Sequence, residues 1–485
     1  MPLGAVVLAC LTVIWNLASA APAPESAQHL THGPAAGEIG SGQAVLWGRC
    51  DGPGTLQVEL LTSQRHAAVE VEAERDYTGR VALRGLAPDT AYAYRMWCAS
   101  GHTTSSEVAS TGSFRTAPAD DRPRPVRVVW GGDLGGQNVC RDRRQGYPIF
   151  ATMSARRPDL FVALGDMIYA DDVCRDFGRY GNAQLPGPSA ARDRAGYWAH
   201  WRYNREDTHA RALLAQVPMI PVWDDHETRD DAGPSDDAPP DDPGAHLMPA
   251  ALDAFLDYQP LLPPADAPTR VYRRVRWGRH LELFALDTRQ YREPNTAPDS
   301  ESAPKSMLGA AQRTWLEQSL AASDATWKII ISSVPLAIPT GAAARDGFAS
   351  GDSTGGFERE AAALFAALRA HGIRNHLWIT TDVHFATALL YRPVRADPAW
   401  ISREIITGPL NAGVFPNRRL DSTFRPQRLF FYAPETADAI ASFDTAQEWF
   451  NFGELDVSAD GRFTVRIING RGRVVYELAL VPSDR

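Results

Sequence analysis

The chain has 485 residues, 44% of them hydrophobic, and 13 Trp. That is too much chain for one small domain and enough apolar material for sizeable cores. The formal net charge of −9 argues against a nucleic-acid binder, which usually shows a basic face.

The opening segment, MPLGAVVLACLTVIWNLASA, has no charged side chain and closes on Ala18-Ser19-Ala20. It reads as a secretory signal peptide over residues 1–20, cut after Ala20. An N-terminal membrane anchor is the alternative, disfavoured by the short apolar run. No later segment is long and apolar enough to span a membrane, so the mature chain is expected to be exported, periplasmic or extracellular. Cleavage removes Cys10 and leaves Cys50, Cys98, Cys140 and Cys174, an even number that suggests disulfides. Each of the two domains described next holds two of them, so Cys50–Cys98 and Cys140–Cys174 is the economical pairing. Four free buried thiols would suit an oxidising compartment poorly.

Residues 28–117 read as an all-β domain. AVLWGRC and TLQVELLT alternate in hydrophobicity, and Asp51-Gly52-Pro53-Gly54 separates them as a turn. In LAPDTAYAYR, Leu86, Pro88, Thr90 and Tyr92 have the spacing of the tyrosine corner of a fibronectin type III-like sandwich. A Pro-rich linker follows over 118–126, and the remaining residues, 127–485, form a second domain.

There the pattern changes to α/β. VRVVWGGD and PDLFVALGD are apolar strands ending on Asp, with a helix-like stretch around Tyr147–Arg157 between them. Another helical stretch, about Asp193–Gln216, leads to VPMIPVWDDHE. HLELFALDTRQ, WKIIISSVPL and HLWITTDVHF repeat the design, and the helix-like EREAAALFAALRAHG precedes the last of these. Apolar strands alternating with helices predict a layered α/β domain with both sheet faces covered. The C-terminal stretch reads as closing strands around an Asp-Gly turn.

Ligand sites of such sheets lie beyond the carboxyl ends of the strands. Those ends carry Asp133, Asp166, Asp224-Asp225-His226, Asp287 and Asp382-Val383-His384. Taken singly, each has a structural reading: a Gly-Asp turn, a helix cap, a core histidine. Asp287 is expected to pair with Arg289 or Arg292. Jointly, several carboxylates on one rim cannot all stay ionised without positive charge among them. Asp oxygens, His nitrogens and a Tyr oxygen suit hard or borderline cations.

In the order GGD…LGDMIYADD…WDDHE…LDTRQYR…TTDVHF, these stretches resemble the alkaline phosphatase D (PhoD-like) family of the calcineurin-like metallophosphatase superfamily, over about residues 30–475. The resemblance implies a four-layer β-sandwich flanked by helices, with the fibronectin type III-like domain in front. It implies a secreted metal-dependent phosphoesterase that hydrolyses phosphomonoesters and/or phosphodiesters with a hydroxide activated between two cations.

By position, Asp133 resembles the first metal ligand, Asp166 the bridging carboxylate and Tyr169 a phenolate ligand. Asp225 resembles the ligand of the second metal, and Asp382 and His384 the final pair. His226 resembles the histidine that touches the phosphoryl group, held near Asp224 or Glu227. Fe3+ with Ca2+ is the implied metal content, with Mn2+ or Zn2+ as alternatives; Asp230 and Asp231 are extra calcium candidates in an acidic loop. Asp133 stands where some members have Cys, and the twin arginines of many family signals are absent. A phospholipase D-like diesterase acting on lipid phosphate esters is the nearest rival; an exported binding protein without catalysis is the other. Substrate choice is expected to lie in the loops Gly178–Arg192, Asp230–His246 and Pro339–Gly356, with Ala344–Glu358 as a candidate lid.

Overall fold

The computed structural model describes Met1 and residues 28–100, 109–234, 247–341, 345–351 and 355–483. The expected signal peptide therefore lies outside the described residues. The N-terminal strands are β1 (Leu30–Gly37), β2 (Gln43–Cys50), β3 (Gly54–Leu60), β4 (Arg65–Val71), β5 (Thr78–Arg84), β6 (Ala91–Ala99) and β7 (Ser110–Arg115). They form two layers, β1-β2-β5 and β4-β3-β6-β7. Side chains alternate along each strand, so Leu46, Leu56, Val58, Val81 and Tyr94 meet in the core between the layers. Cys50 of β2 is bonded to Cys98 of β6, which joins the two layers. The Tyr92 hydroxyl accepts the Ala87 backbone N–H at 2.9 Å, closing the corner expected from LAPDTAYAYR. Strand β1 also reaches forward: Gly37 lies in parallel register with Met219. Gly is needed there, because a Cβ would stand 2.5 Å from the Pro260 carbonyl oxygen.

Strands β8 (Val126–Gly131), β9 (Leu160–Leu164) and β10 (Met219–Val222) follow, then β11 (Arg273–Trp277), β12 (Leu281–Ala285), β13 (Trp327–Ile331), β14 (His376–Thr380), β15 (Ala386–Tyr391), β16 (Ser402–Ile406) and β17 (Gln427–Tyr432). The chain closes with β18 (Asn451–Val457), β19 (Phe463–Asn469) and β20 (Val474–Leu480). One sheet runs β20-β19-β18-β8-β9-β10-β1-β2-β5, so it continues from the closing strands into the N-terminal layer. The second runs β11-β12-β13-β14-β16-β15-β17. Because β8, β9 and β10 are mutually parallel, their carboxyl ends share one edge. Strands β12, β13 and β14 are parallel in the same way.

The helices are α1 (Pro148–Ala155), α2 (Arg194–Arg205), α3 (Thr208–Gln216), α4 (Leu247–Tyr258), α5 (Gly309–Ala322), α6 (Glu358–Ala370) and α7 (Phe443–Ala446). Val128, Trp130 and Val162 point into the core shared with Ile329 and Leu377 of the opposite sheet. Their neighbours Val129 and Phe161 point the other way, onto Phe150, Trp201, Leu213 and Phe255 of α1–α4. Ile330 and Trp378 meet Leu316 of α5 and Phe365 of α6 on the far side. Helices, sheet, sheet and helices thus make four layers. Each buried Leu, Ile or Phe contributes about 1.5–3 kcal/mol relative to exposure.

The single helix expected over Asp193–Gln216 is two. Asp207 accepts the Ala210 N–H at 2.8 Å and so caps α3, while the Tyr147 N–H bonds its other oxygen at 3.0 Å. Cap and tertiary bond together end α2 before Asp207. Among the described residues no helix is long and apolar enough to cross a membrane.

The Cys50–Cys98 bond spans 48 residues of chain. A Cys50→Ala/Cys98→Ala variant should unfold at lower denaturant, with a loss of about 2–4 kcal/mol. Calorimetry or urea titration reads this directly.

Candidate metal centre

The residues singled out in sequence converge at the shared strand edges. Asp133 follows β8, Asp166 follows β9, Asp224–Glu227 follow β10, and Asp382–His384 follow β14. Asp133 (φ 60°), Asp166 (φ 49°), Asp382 (φ 77°) and His384 (φ 59°) all adopt left-handed backbone. L-residues pay about 1–3 kcal/mol for such conformations, which survive where the surroundings over-determine them. Gly165 shows how tight the turns are. Its φ is 94°, and a Cβ there would sit 2.7 Å from the Asp224 Cβ.

Ligand atoms of Asp133, Asp166 and His384 lie within 4.8 Å of one another. The same holds for Asp166, Asp225 and His226, for Asp224, Asp225 and Asp382, and for Asp225, Asp231 and Asp346. Asp166 belongs to two of these groups and Asp225 to three. The Tyr169 hydroxyl lies 2.9 Å from His384 Nε2, so a phenol oxygen borders the first group. Asp133 Oδ1, Asp166 Oδ2, Asp224 Oδ2 and Asp382 Oδ2 are buried without a hydrogen-bond partner among the described residues. Buried carboxylate oxygens left unpaired are costly, and a cation is the partner their chemistry asks for.

Electrostatics agree. Burial, reinforced by the charge of Asp224, pushes Asp133 up to about 8. Burial and then the charges of Asp225, Asp224, Glu227 and Asp133 raise Asp166 well above the carboxylate range. Burial followed by Asp224, Asp346 and Asp225 does the same to Asp382. Carboxylates raised in this way give up their protons when a cation binds among them.

The two histidines are tuned in opposite directions. Burial, with the charges of His226 and Arg179, holds His384 down to about 3. It is neutral at pH 7, and donation from Nδ1 to the Gly413 carbonyl at 2.5 Å leaves Nε2 as the lone-pair atom. For His226, burial favours the neutral ring, but the charges of Asp225 and Asp171 outweigh it and lift the group to about 10. Its Nδ1 donates to both Asp171 oxygens at 2.8 and 3.0 Å, and the ring stacks on Tyr169 with centroids 4.1 Å apart. The side chain stays 14% exposed, so Nε2 can reach a ligand.

Residues 132–464 match the PhoD-like phosphatase family, and residues 16–118 match the N-terminal domain of PhoD-like phosphatases. The chain belongs to the PhoD-like phosphatase family. Alkaline phosphatase D of Bacillus subtilis (strain 168) is 24% identical over 318 residues, 63% of this chain. The match takes in 52% of that relative, so the chain spans about half the length of the curated protein it matches. A solved structure of PhoD superposes with a TM-score of 0.72 at 18% identity, covering 93% of both chains. Purple acid phosphatase PPD1 from yellow lupin gives 0.59 at 13% identity, over 92% of this chain and 73% of the other. At those identities the two structures establish a shared fold. The family, together with the acid and histidine clusters, points to more than one metal ion in this PhoD-like chain.

Two expectations about neighbours are revised. Among the described residues Asp287 forms no ion pair with Arg289 or Arg292. Its Oδ1 accepts the Trp223 indole N–H and the backbone N–H groups of Arg289 and Gln290, each at 3.0 Å. Arg289 points into the site instead. Nε bonds Asp224 at 2.5 Å, and Nη1 and Nη2 grip Asp346 at 2.7 and 2.8 Å. Against the cost of burial, Arg289 and then Arg292 hold Asp346 below its ordinary range.

Secondly, Asp171 holds His226, a role expected of Asp224 or Glu227. Glu227 instead accepts the backbone N–H groups of Asp166, Met167 and Asp224 at 2.7–2.9 Å and so pins two strand ends together. Asp171 had a signal in sequence, as the fifth residue after Asp166 in GDMIYADD. Of the two acids proposed as calcium candidates, Asp231 joins a cluster, while the Asp230 N–H bonds Asp171 at 2.7 Å. Parts of the acidic loop and of the candidate lid lie outside the described residues.

Arg289 is fully buried between Asp224 and Asp346. Arg289→Met should destabilise the fold by about 3–5 kcal/mol, since buried Asp224 loses its counter-charge and Asp346 is left with Arg292 alone. Adding Asp346→Asn should recover part of the loss, and urea melts of the two variants measure both effects.

Proposed function

We propose that the chain is an exported, metal-dependent phosphoesterase acting on phosphate monoesters and/or diesters. The observation that carries this reading is the pair of shared carboxylates, Asp166 and Asp225, linking adjacent ligand groups beside the His226 ring that Asp171 holds. Asp133, Asp166, Tyr169 and His384 would hold a first cation, and Asp166, Asp225 and Asp382 a second. A phenol among oxygen ligands favours Fe3+ in the first place; an all-carboxylate set suits Ca2+ in the second, with Mn2+ or Zn2+ as alternatives. Bound cations lower the pKa of water and neutralise charge on phosphoryl oxygens.

The chain's own groups do the rest. Asp171 fixes the direction of the His226 ring, so Nε2–H points away from it. Nε2–H then donates to a phosphoryl oxygen or delivers its proton to the departing ester oxygen. Asp224 and Glu227 orient the site: Arg289 neutralises the former, and the latter ties the turns after β9 and β10. The acceptor is water and no side-chain nucleophile is required.

The residue ranges 28–117, 118–126 and 127–485 serve as sandwich, linker and catalytic unit. The three-on-four strand arrangement and the Tyr92 corner support a fibronectin type III-like module. The two disulfides support an oxidising compartment and, with it, the signal peptide over 1–20.

His226→Ala should retain bound metal but lower kcat by on the order of 10²–10⁴. Metal analysis and assays with alkyl phosphate mono- and diesters, with and without chelator, test this. A variant with full activity, or wild-type protein indifferent to chelation, would remove the reading.

A further inference from the structure

Beside His384 the rim of the site changes character. Phe415 packs its ring 5.3 Å from the His384 ring and remains 37% exposed. The Arg179 guanidinium lies 5.0 Å from the Phe415 centroid, on an exposed residue. Among the described residues no carboxylate pairs with Arg179, nor with Arg418 or Arg419 further along the Phe415 loop, although the chain as a whole is acidic.

The arrangement is held from several sides. Arg179 donates its backbone N–H to the Asn138 carbonyl at 2.7 Å. Tyr180 Oη accepts the Val414 N–H at 3.0 Å. Gly413, whose carbonyl bonds His384, leaves room for the ring, since a Cβ there would stand 2.7 Å from Phe415 Cζ. The Cys140–Cys174 bond ties the flanking segments together. An arginine stacked on an aromatic face keeps its N–H edge free and loses little freedom when it binds an anion.

The geometry points to Arg179, supported by Phe415, as a specificity residue that binds a second anionic group of the substrate at the His384 side of the site. The favoured substrate class is thus an ester whose alcohol portion carries a further phosphate or carboxylate. This inference rests on the phosphoesterase reading above. It does not depend on which metals are bound.

Short alkane-diol bisphosphates and the matching alkyl monophosphates make the comparison. The quantity read is the ratio of their kcat/KM values. Wild type should prefer the bisphosphate, and the preference should shrink as salt is raised. In Arg179→Gln that ratio should fall about tenfold, the size of a charge-assisted hydrogen bond at a partly exposed site. Arg179→Lys should keep part of it, and Phe415→Leu should lower it because the guanidinium loses its support. An unchanged ratio in Arg179→Gln, with both esters still hydrolysed, would overturn the Arg179 assignment alone. Wild-type protein that hydrolyses neither ester would overturn the phosphoesterase reading, and this inference with it.

Discussion

Repulsion among buried carboxylates is the constraint around which this molecule is arranged. Asp133, Asp166, Asp224 and Asp225 are nearly or wholly shielded from water at one edge of two packed sheets, with Asp382 half-buried beside them. Like charges in such a place are tolerable only with compensation. The chain supplies part of it through Arg289, which answers Asp224 and Asp346. On the other side one oxygen each of Asp133, Asp166 and Asp382 is buried without a partner among the described residues. A centre of several cations completes the balance there, and the family to which the chain belongs agrees with it.

The scaffold explains how such a costly arrangement persists. Parallel strands deliver their ends to one edge, and large apolar cores on both faces of each sheet outweigh the strained turns. Glu227 bonds three backbone N–H groups across two of those turns. His226 and His384 are then set in opposite protonation states by neighbours: two carboxylates around one, burial and nearby cationic groups around the other. One histidine is suited to donating a proton, the other to offering a lone pair.

The acid-bearing strand ends were legible because each follows an apolar run of strand length, and Asp133, Asp166, Asp225, His226, Asp382 and His384 are brought together as that pattern implied. The layered α/β arrangement was legible for the same reason. What sequence did not reveal lies in long-range pairings. Asp346 is 57 residues from Arg289, and nothing local distinguishes Arg289–Asp346 from the nearer Asp287. The parallel pairing of β1 with β10 joins residues far apart in the chain, so the continuity of the large sheet has no local signature. The break at Asp207 depends on a tertiary bond from Tyr147.

Asp166 belongs to two ligand groups and would be shared between two cation positions. Metal content of purified wild-type protein and of Asp166→Asn, measured beside thermal stability, tests it most directly. Wild type should hold at least two metal equivalents per chain, and a folded Asp166→Asn variant should lose metal at both positions. A folded Asp166→Asn protein that keeps its full metal content, or loses one metal while the other stays in place, would contradict it.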